Sequence, residues 1–292
     1  PEHIKTDILP RICRGEVCFV IGMSEANSGS DLFAAKAKAT KTNSGWKING
    51  SKIWTSNAHN ADYMLGLFRT SPPTRENRRH GLTQFLIDMK TPGITVRPIV
   101  SIDELHHLNE VFFEDVRVPV SNRIGEENKG WTYAKFLLTH ERTGIAGVPE
   151  SKKAVERLQR IAETERAGDG HRLADDPAFR STLAEIDMKL AGLEITNLRI
   201  LADAAAGRAV GERSSILKIV GTEVQQALQT LAVEAIGYYT MPSQRDRLEG
   251  RSNAPMVGPD YVETAFASYC FGRAASIYGG SNEIQRGIMA KL

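Results

Sequence analysis

The spacing of apolar residues changes twice along the chain. Residues 1–16 have apolar side chains at roughly helical spacing. Short apolar stretches separated by turn-forming residues follow up to about residue 121, which is typical of β-strands. From Gly130 onward the spacing is close to three and four, which is typical of amphipathic helices. The pattern predicts an α+β multidomain protein, with a central antiparallel β domain followed by a C-terminal antiparallel helical bundle.

Several strands are predicted in the β region, within residues 45–54, 63–69, 83–89, 94–100 and 111–118. In the first of these segments the alternation of apolar and polar residues is broken by Asn49-Gly50. This dipeptide accepts the positive φ angles of a two-residue hairpin turn, so we expect the chain to reverse direction there. A polar, basic loop at residues 72–80 separates the second and third strands.

The C-terminal region has one long apolar helical face, formed by Leu183, Ile186, Leu190, Leu193 and Leu201. Similar spacing predicts helices within residues 212–236 and 265–277. Residues 168–170 and 240–259 are rich in helix-breaking types and predict loops. Pro149 falls inside the first predicted helix and is expected to kink or interrupt it, because proline removes a backbone donor.

Composition narrows the class of protein. The 292 residues are 41% hydrophobic and 25% charged, which suits a globular chain of about two domains. The net charge of +2 gives no electrostatic case for nucleic acid, and no apolar run is long enough for a membrane span. The three cysteines lack metal-ligand spacing and are expected to be reduced thiols, which favours a reducing compartment such as the cytoplasm.

The ends of the chain carry no readable targeting signal. The sequence starts at Pro1 without an initiator methionine, and its last residues stop inside an apparent helix. We therefore expect both ends to be cuts through a longer protein.

One stretch of the first predicted helix combines charge with small residues. Glu141 stands beside Arg142 and is followed by the sequence Thr-Gly-Ile-Ala-Gly. A carboxylate next to so little side-chain bulk can face a bound ligand at close range. On this stretch alone, an ordinary surface ion pair is the favoured interpretation.

Four segments together resemble the acyl-CoA dehydrogenase family of FAD flavoenzymes. They read MSEANSGSD at residues 23–31, NGSKIWTSN at 49–57, NEVFFEDVRVP at 109–119 and YGGSNEIQ at 278–285. They occur in the family's order over nearly the whole chain. The resemblance implies an N-terminal helical domain that ends within residues 1–16, a β domain at 17–121 that binds flavin and acyl-CoA, and a helical bundle at 122–292.

The resemblance also implies roles for residues of the β domain and the terminal motif. Ser24 and Ser56 stand where the family has threonines that hydrogen-bond the flavin ring. Trp54 would close one face of the isoalloxazine, although a core aromatic is the alternative for this residue. The full implied set of FAD-contacting residues is Ile21, Met23, Ser24, Gly29, Ser30, Trp54, Thr55, Ser56, Ser281, Asn282 and Glu283. The implied substrate contacts are Ser30, Thr139, Arg142 and Gly280.

The position of the catalytic base departs from the commonest family pattern. Many members have a glutamate directly after the tyrosine of the terminal motif, where this chain has Gly279. A minority place the glutamate on the first bundle helix, just before an arginine, and Glu141-Arg142 matches that arrangement. We therefore predict Glu141 as the base that removes the α proton of an acyl-CoA thioester. The backbone N–H of Gly279 would donate to the thioester oxygen.

Two further departures concern the adenosine end of FAD. The family's Arg-x-Gln-Phe-Gly has no clean match in residues 171–179. Its Gln-x-x-Gly-Gly-x-Gly loop is present only as the sequence EAIGYYT at residues 234–240. Tyrosine does not allow the close backbone approach that glycine does. Either the adenosine end is held differently or a partner subunit holds it.

The resemblance leaves alternatives for function and partners open. The first is an acyl-CoA dehydrogenase that passes electrons to an electron-transfer flavoprotein, as a homo- or hetero-tetramer. The others are a non-catalytic or half-site subunit of a heteromeric enzyme and an acyl-CoA oxidase. The motifs look most like bacterial members of the pimeloyl-CoA dehydrogenase large-subunit type, and relatives acting on steroid side-chain thioesters share some traits. The acyl group stays open.

Two other groups of residues have ordinary interpretations. His106-His107 lacks a third metal ligand at useful spacing, and adjacent strand residues point to opposite faces, so a solvent-facing pair is expected. Arg75, Arg78 and Arg79 could meet the phosphates of CoA, but a solvated loop is favoured. No Gly-x-Gly-x-x-Gly fingerprint for a dinucleotide opens a helix anywhere in the chain.

Overall fold

The computed structural model describes residues 1–208 and 210–291, without the side chains of residues 138–143. The chain divides into two compact units. The first contains residues 1–101 and 106–137, and the second contains residues 102–105 and 138–292. None of the described helices is both long and apolar enough to cross a membrane.

The first unit is built on one eight-stranded sheet. Its strands are β1 (Phe19–Gly22), β2 (Lys38–Thr42), β3 (Gly45–Lys52), β4 (Tyr63–Arg69), β5 (Leu82–Asp88), β6 (Ile94–Val100), β7 (His106–Val118) and β8 (Arg123–Ile124). The order across the sheet is β6-β7-β3-β2-β4-β5-β8, and β1 pairs with β4. All pairings are antiparallel except those of β4 with β1 and β2. A short helix, α1 (Leu9–Cys13), precedes the sheet.

Alternating apolar residues of the central strands form the core of this unit. Ile48, Met64, Phe68, Phe85 and Val111 are all essentially inaccessible to solvent. The aromatic rings of this cluster meet edge to face, with the Phe68 and Phe113 centroids 5.3 Å apart. The predicted strands are confirmed. Strand β7 begins five residues earlier than expected, since residues 106–110 contain only one apolar side chain, Leu108, and gave no strand signal.

The predicted hairpin at Asn49-Gly50 is wrong. The chain reverses at residues 43–44, between β2 and β3, and Asn49-Gly50 lies inside β3. Ile48 pairs with Val116 and Gly50 with Phe113, so Asn49 stands opposite two residues of β7. Its side-chain amide donates to the Asp115 carboxylate and accepts from the Asp115 N–H, both at 2.9 Å. The bulge therefore lies on β7, and Gly50, with its positive φ angle, stands beside it inside a strand and not in a turn.

The second unit is helical. Its helices are the second part of α2 (Gly130–Ile145), then α3 (Val148–Thr164), α4 (Pro177–Ala205), α5 (Ser214–Ile236), α6 (Arg245–Leu248), α7 (Ala265–Gly272) and α8 (Asn282–Met289). The core lies between α3, α4 and α5, where Leu158, Leu190, Leu193, Leu217 and Leu228 are buried. This arrangement confirms the predicted order of a sheet domain followed by a helical region.

The predicted breaks at Pro149 and at residues 168–170 are confirmed, whereas the predicted loop at residues 240–259 contains the short helix α6. One helix face also needs correction. Pro149 occupies the first turn of α3 after Gly147, whose φ of 58° ends the preceding helix, so the interruption forms as expected. Leu201 does not belong to the inward face of α4, because it is 43% exposed whereas Ile200 is buried. Seven residues after Leu193 complete two helical turns, so Ile200 returns to the inner face and Leu201 does not.

The bulge yields a first prediction. Gly50 has a φ of 131°, and a Cβ atom there would lie 2.8 Å from the Cα of Ala37. The Gly50→Ala variant should therefore lower the free energy of unfolding by at least about 2 kcal/mol, through backbone strain and a clash with main chain. Urea unfolding followed by circular dichroism measures the change.

Gly168→Ala is the matched control, since Gly168 has no positive φ and open space around its Cα. Equal unfolding midpoints for the two alanine variants would show that the bulge does not need glycine.

Candidate functional site

A short segment after β3 presents an exposed tryptophan. Trp54 has a φ of 61° and is 56% exposed, which is unusual for a large aromatic residue. The N–H groups on either side of it fix the backbone: Ile53 donates to the Ser24 carbonyl at 2.9 Å and Thr55 to the Asn109 carbonyl at 3.0 Å. The alternative of a core aromatic is therefore wrong. The segment holds a flat apolar surface toward solvent, as a ring-shaped ligand requires.

Thr55 and Ser56 differ in accessibility. Thr55 is buried, and its backbone carbonyl accepts from the Asn109 side-chain amide at 3.0 Å. Its hydroxyl finds no hydrogen-bond partner in the part of the chain that the structure describes. Ser56 is exposed. An unpaired buried hydroxyl beside an exposed one is typical of a site that a ligand or water completes.

A buried ion pair joins the first two sequence motifs. Lys52 is fully buried, and its ammonium donates to the Glu25 carboxylate at 2.8 Å and to the Met23 carbonyl at 3.1 Å. Glu25 also accepts from the backbone N–H groups of Lys36 and Ala37. Desolvation lowers the pKa of Lys52, and the neighbouring Glu25 carboxylate opposes that effect. The sequence reasoning missed this pair, although both residues lie within the quoted motifs.

The loop that contains Glu25 is tightly folded. Glu25 and Ser28 exchange two backbone hydrogen bonds of 2.9 and 3.0 Å, and the Ser28 hydroxyl donates to the Asp31 carbonyl. Gly29 and Ser30 are consequently exposed at the tip. Upstream of the loop, Ile21 is exposed, while Met23 and Ser24 are partly buried. The bond from Ile53 to Ser24 brings this loop next to the Trp54 segment.

The basic loop at residues 72–80 is not simply solvated. Arg78 donates to the Asp31 carboxylate at 2.6 Å. The Arg79 guanidinium lies 5.4 Å from the centre of the Phe33 ring and 5.8 Å from that of Trp131. These contacts attach the loop to the same region as Ser30, and they correct the expectation of free arginines.

The solvent-facing interpretation is also wrong for His106. Its ring stacks on that of His59 with centroids 4.0 Å apart, and both rings approach the side-chain oxygen of Asn109, at 2.8 and 3.3 Å. Asn109 therefore connects these imidazoles to the Thr55 backbone. Among the described residues no group of three potential metal ligands is found.

In the second unit, the terminal motif forms a glycine turn before α8. Gly279 and Gly280 have φ angles of 66° and 82°. The Gly279 carbonyl accepts from the Gln285 side chain at 3.3 Å. A Cβ atom at Gly279 would lie 2.9 Å from the Cδ1 of Ile145, the last residue of α2. The turn and the end of α2 are thus in contact.

The start of α8 is fixed by buried polar contacts. The Ser281 hydroxyl accepts from the N–H of Ile284 at 3.4 Å and caps the helix. Asn282 is buried, and its side-chain oxygen accepts from the Lys218 ammonium at 2.7 Å. Burial lowers the pKa of Lys218, whereas the nearby Glu283 raises it. Glu283 itself is exposed. The Asn282 side chain therefore anchors the turn, and Glu283 is available at the surface.

The predicted catalytic carboxylate lies on α2, but its side chain is outside the described residues, as are those of Thr139 and Arg142. Along the helix, Glu141 precedes Ile145 by four residues, which is about one turn. Ile145 is the residue that meets Gly279.

Comparison with known proteins agrees with these motifs. Residues 20–116 match the family model for the acyl-CoA dehydrogenase middle domain, and residues 128–292 match that for the acyl-CoA dehydrogenase C-terminal domain. The fold and the two matches define a flavoenzyme class: the chain belongs to the acyl-CoA dehydrogenase family, whose members are FAD flavoproteins. The resemblance seen in the sequence is confirmed.

Several relatives come from Mycobacterium tuberculosis. Acyl-CoA dehydrogenase FadE29 is 31% identical over 85% of this chain and 63% of its own length. Acyl-CoA dehydrogenase IpdE1 is 32% identical over 97% of this chain and 68% of its own length. The crystal structure of the ChsE4-ChsE5 complex superposes with a TM-score of 0.83 at 27% identity, covering all of this chain and 73% of that chain. The chain therefore spans less than two thirds of FadE29.

The ion pair between Lys52 and Glu25 gives the second prediction. The Lys52→Met variant keeps the side-chain length but leaves the Glu25 carboxylate buried without its cation. The free energy of unfolding should fall by about 3–5 kcal/mol. Urea unfolding measures the loss.

Lys47→Met is the control, because Lys47 lies on the same strand but pairs with Asp115 at an exposed position. Its removal should change the stability little. A Lys52→Met protein as stable as Lys47→Met would mean that the buried pair is not a structural requirement.

Proposed function

We propose that the whole protein catalyses the FAD-dependent α,β-dehydrogenation of an acyl-CoA thioester. The observation that carries the proposal is the contact between Gly279 and Ile145. A site without a carboxylate in its terminal turn needs a base from another element, and α2 supplies Glu141 one turn before that contact.

Glu141 acts as the general base that removes the α proton. The α proton of a thioester is weakly acidic, so charge builds on the carbonyl oxygen as the proton leaves. The backbone N–H of Gly279 donates to that oxygen, and a preorganised donor of this kind is worth roughly 3–4 kcal/mol. Gly280 and Gly279 leave room for the thioester because they have no side chains. Thr139 and Arg142 contact the substrate from the same helix as Glu141.

Residues of the first unit would hold FAD, which supplies a hydride acceptor for the β carbon when it is bound. Trp54 would cover one face of the ring, and Ser24 and Ser56 would donate their hydroxyls to it. Ile21, Met23, Thr55 and Gly29 would line the cofactor, while Ser30 would contact both cofactor and CoA. The exposed, backbone-locked Trp54 supports this fit.

Within the second unit, the capped start of α8 carries Ser281, Asn282 and Glu283, the residues that would contact FAD there. Ser281 and Asn282 keep the turn rigid through the Ile284 N–H and the Lys218 ammonium. These contacts preorganise Gly279 without help from the ligand.

The loop at residues 234–240, which in the family holds the adenosine end of FAD, favours a role for a partner subunit in binding FAD. Tyr238 is 89% exposed, and Tyr239 packs on Gly258, where a Cβ atom would lie 2.9 Å from its ring. These rings stand where the family has glycines for close backbone approach. A second chain therefore holds the adenosine end of FAD in a homo- or heteromeric tetramer, and an electron-transfer flavoprotein accepts the electrons. The ChsE4-ChsE5 structure is a complex of two proteins.

The same loop supports a second candidate function. A non-catalytic subunit would keep the fold and contribute surface residues to the active site of another chain. The fixed Trp54 and the Glu141-Arg142 pair favour the catalytic function, whereas Tyr238 and Tyr239 favour the supporting one.

The assignment of Glu141 as the base predicts how fast a Glu141→Gln variant reduces its flavin. Anaerobic addition of acyl-CoA thioesters to the full-length flavoprotein should bleach its absorbance near 450 nm (about the flavin maximum). Glu141→Gln should still bind substrate but bleach about 10²–10⁴ times more slowly, because the base is lost. Stopped-flow absorbance gives the rate, and substrate-induced spectral shifts give binding.

Glu150→Gln, on the exposed first turn of α3, is the matched control and should bleach at the wild-type rate. Full-rate bleaching by the Glu141→Gln protein would overturn the assignment of the base.

The choice between the two candidate functions has its own measurement. We expect the purified full-length protein, with the partner that copurifies, to show the flavin absorbance in proportion to its own chain. Trp54→Ala should weaken FAD binding by about ten- to a hundredfold, since one stacked aromatic contributes about 1–3 kcal/mol. A colourless protein that takes up no FAD, alone or with its partner, would favour the supporting subunit.

A further inference from the structure

The break between α2 and α3 removes helical partners from main-chain carbonyl groups. In a continuous helix, the carbonyl of Ile145 would accept from the N–H of residue 149. That residue is Pro149, which has no N–H, and Gly147 turns the chain out of the helical path with a φ of 58°. Ile145 is partly buried and Ala146 is fully buried. A buried carbonyl without a donor costs about as much as a lost hydrogen bond, so another element has to supply one.

Gln225 of α5 supplies the donor. Its side-chain amide donates to the Ile145 carbonyl at 3.1 Å and to the Ala146 carbonyl at 3.4 Å. Carbonyl oxygens only accept hydrogen bonds, so the NH2 end of the amide is the end that faces them. The same amide packs against Gly147, where an added Cβ atom would collide with it. One side chain therefore replaces the donor that Pro149 removes and holds the end of α2.

Helix α5 also approaches the break closely enough for main chain to meet main chain. A Cβ atom at Gly221 would lie 2.7 Å from the carbonyl oxygen of Ala146 and 2.8 Å from its Cα. These distances are shorter than van der Waals contact, so only glycine allows this packing. Gly221 precedes Gln225 by four residues, and residues four apart lie on one side of a helix. The end of α2 is thus fixed on α5 by a main-chain contact and by the hydrogen bonds of the next turn.

The same side of α5 holds the terminal turn. The Lys218 ammonium donates to the Asn282 side-chain oxygen at 2.7 Å, and the Asn282 amide donates to the Thr222 hydroxyl at 3.3 Å. Lys218, Thr222 and Gln225 are separated by four and three residues, which places them on one face of α5. Asn282 follows Gly279 by three residues. A single helix face therefore anchors both the end of α2 and the turn that carries the proposed donor to the thioester.

We propose that Gln225 is a positioning residue for the catalytic base; this inference rests on the dehydrogenation proposed above. Glu141 lies about one turn before the carbonyl groups that Gln225 holds. With the terminal turn anchored on the same face, α5 sets the spacing between the base and the N–H of Gly279. Without the Gln225 amide, the end of α2 loses its anchor and the base moves relative to the thioester, whereas the turn keeps its contact with Lys218.

Hydrogen exchange measured by mass spectrometry tests the anchoring independently of catalysis. In the full-length Gln225→Met protein, amides of residues 144–151 should exchange about two to ten times faster than in the wild type, because methionine cannot donate to the two carbonyls. Amides of residues 279–286 should exchange at the wild-type rate. Unchanged exchange at residues 144–151 would overturn the proposal.

Arg157→Met is the matched control. Arg157 also donates to a main-chain carbonyl of the second unit, that of Tyr261, and it lies on α3 well beyond the break. Both variants should lower the midpoint of urea unfolding, but Arg157→Met should leave exchange at residues 144–151 and the rate of flavin bleaching unchanged. Equal acceleration of exchange in both variants would refute the proposal, because it would reflect a general loosening of the unit.

Anaerobic stopped-flow absorbance tests the consequence for the base. At saturating acyl-CoA, Gln225→Met should bleach its flavin about ten to a hundred times more slowly than the wild type, since a displacement of about 1 Å can have this effect. The dissociation constant from substrate-induced spectral shifts should stay within about threefold of the wild type, because proton transfer depends more steeply on distance than binding does. Gln225→Glu should be slower than Gln225→Met, because its side-chain oxygens would face the two carbonyl oxygens.

The kinetic outcomes separate this inference from the proposed function. Wild-type bleaching by Gln225→Met, in a protein whose Glu141→Gln variant is slow, would exclude the positioning role and leave the proposed function intact. A loss of substrate affinity as large as the loss of rate would also exclude it, since Gln225 would then act on binding. A wild-type protein that no acyl-CoA thioester bleaches would overturn the proposed function and this inference with it.

Discussion

The buried ion pair of Lys52 and Glu25 is the constraint on which the first unit depends. A lysine with no solvent exposure is tolerable only with a fixed counter-charge, and Glu25 is fixed by the backbone N–H groups of Lys36 and Ala37. The pair ties a loop to the end of β3. The loop then fixes Ser24, whose carbonyl holds the backbone beside Trp54. A structural interaction in the interior thereby sets the geometry of an exposed aromatic surface.

The order of elements could be predicted from the sequence because burial leaves a periodic signal. Strands β4 and β6 and the helix α5 follow directly from it. Asn49-Gly50 shows where such local reasoning fails. The dipeptide is compatible with positive φ in a turn and in a bulge, and the partner strand decides between them through Asp115. Leu201 shows a second limit, since two neighbouring residues compete for one helix face.

Only those residues of the candidate site that lie in recognisable sequence motifs could be predicted. The resemblance located Trp54, Ser30 and the terminal turn, but it did not predict that Trp54 would have a left-handed backbone and lie exposed. The pairing of Lys52 with Glu25 and the sharing of Asn109 by two histidines depend on contacts between residues distant in sequence. Neither contact produces a pattern in the neighbouring sequence. Both depend on which strands pair in the folded sheet.

The contact between Gly279 and Ile145 limits which side chains the terminal turn can accept. An added side chain at Gly279 meets the Ile145 methyl group and must accept a left-handed backbone, which costs about 1 kcal/mol or more for residues other than glycine. The size of the residue at position 145 and the backbone of position 279 therefore jointly limit the terminal turn. A side chain at position 279 would have to displace the end of the Ile145 side chain as well as accept the strained backbone.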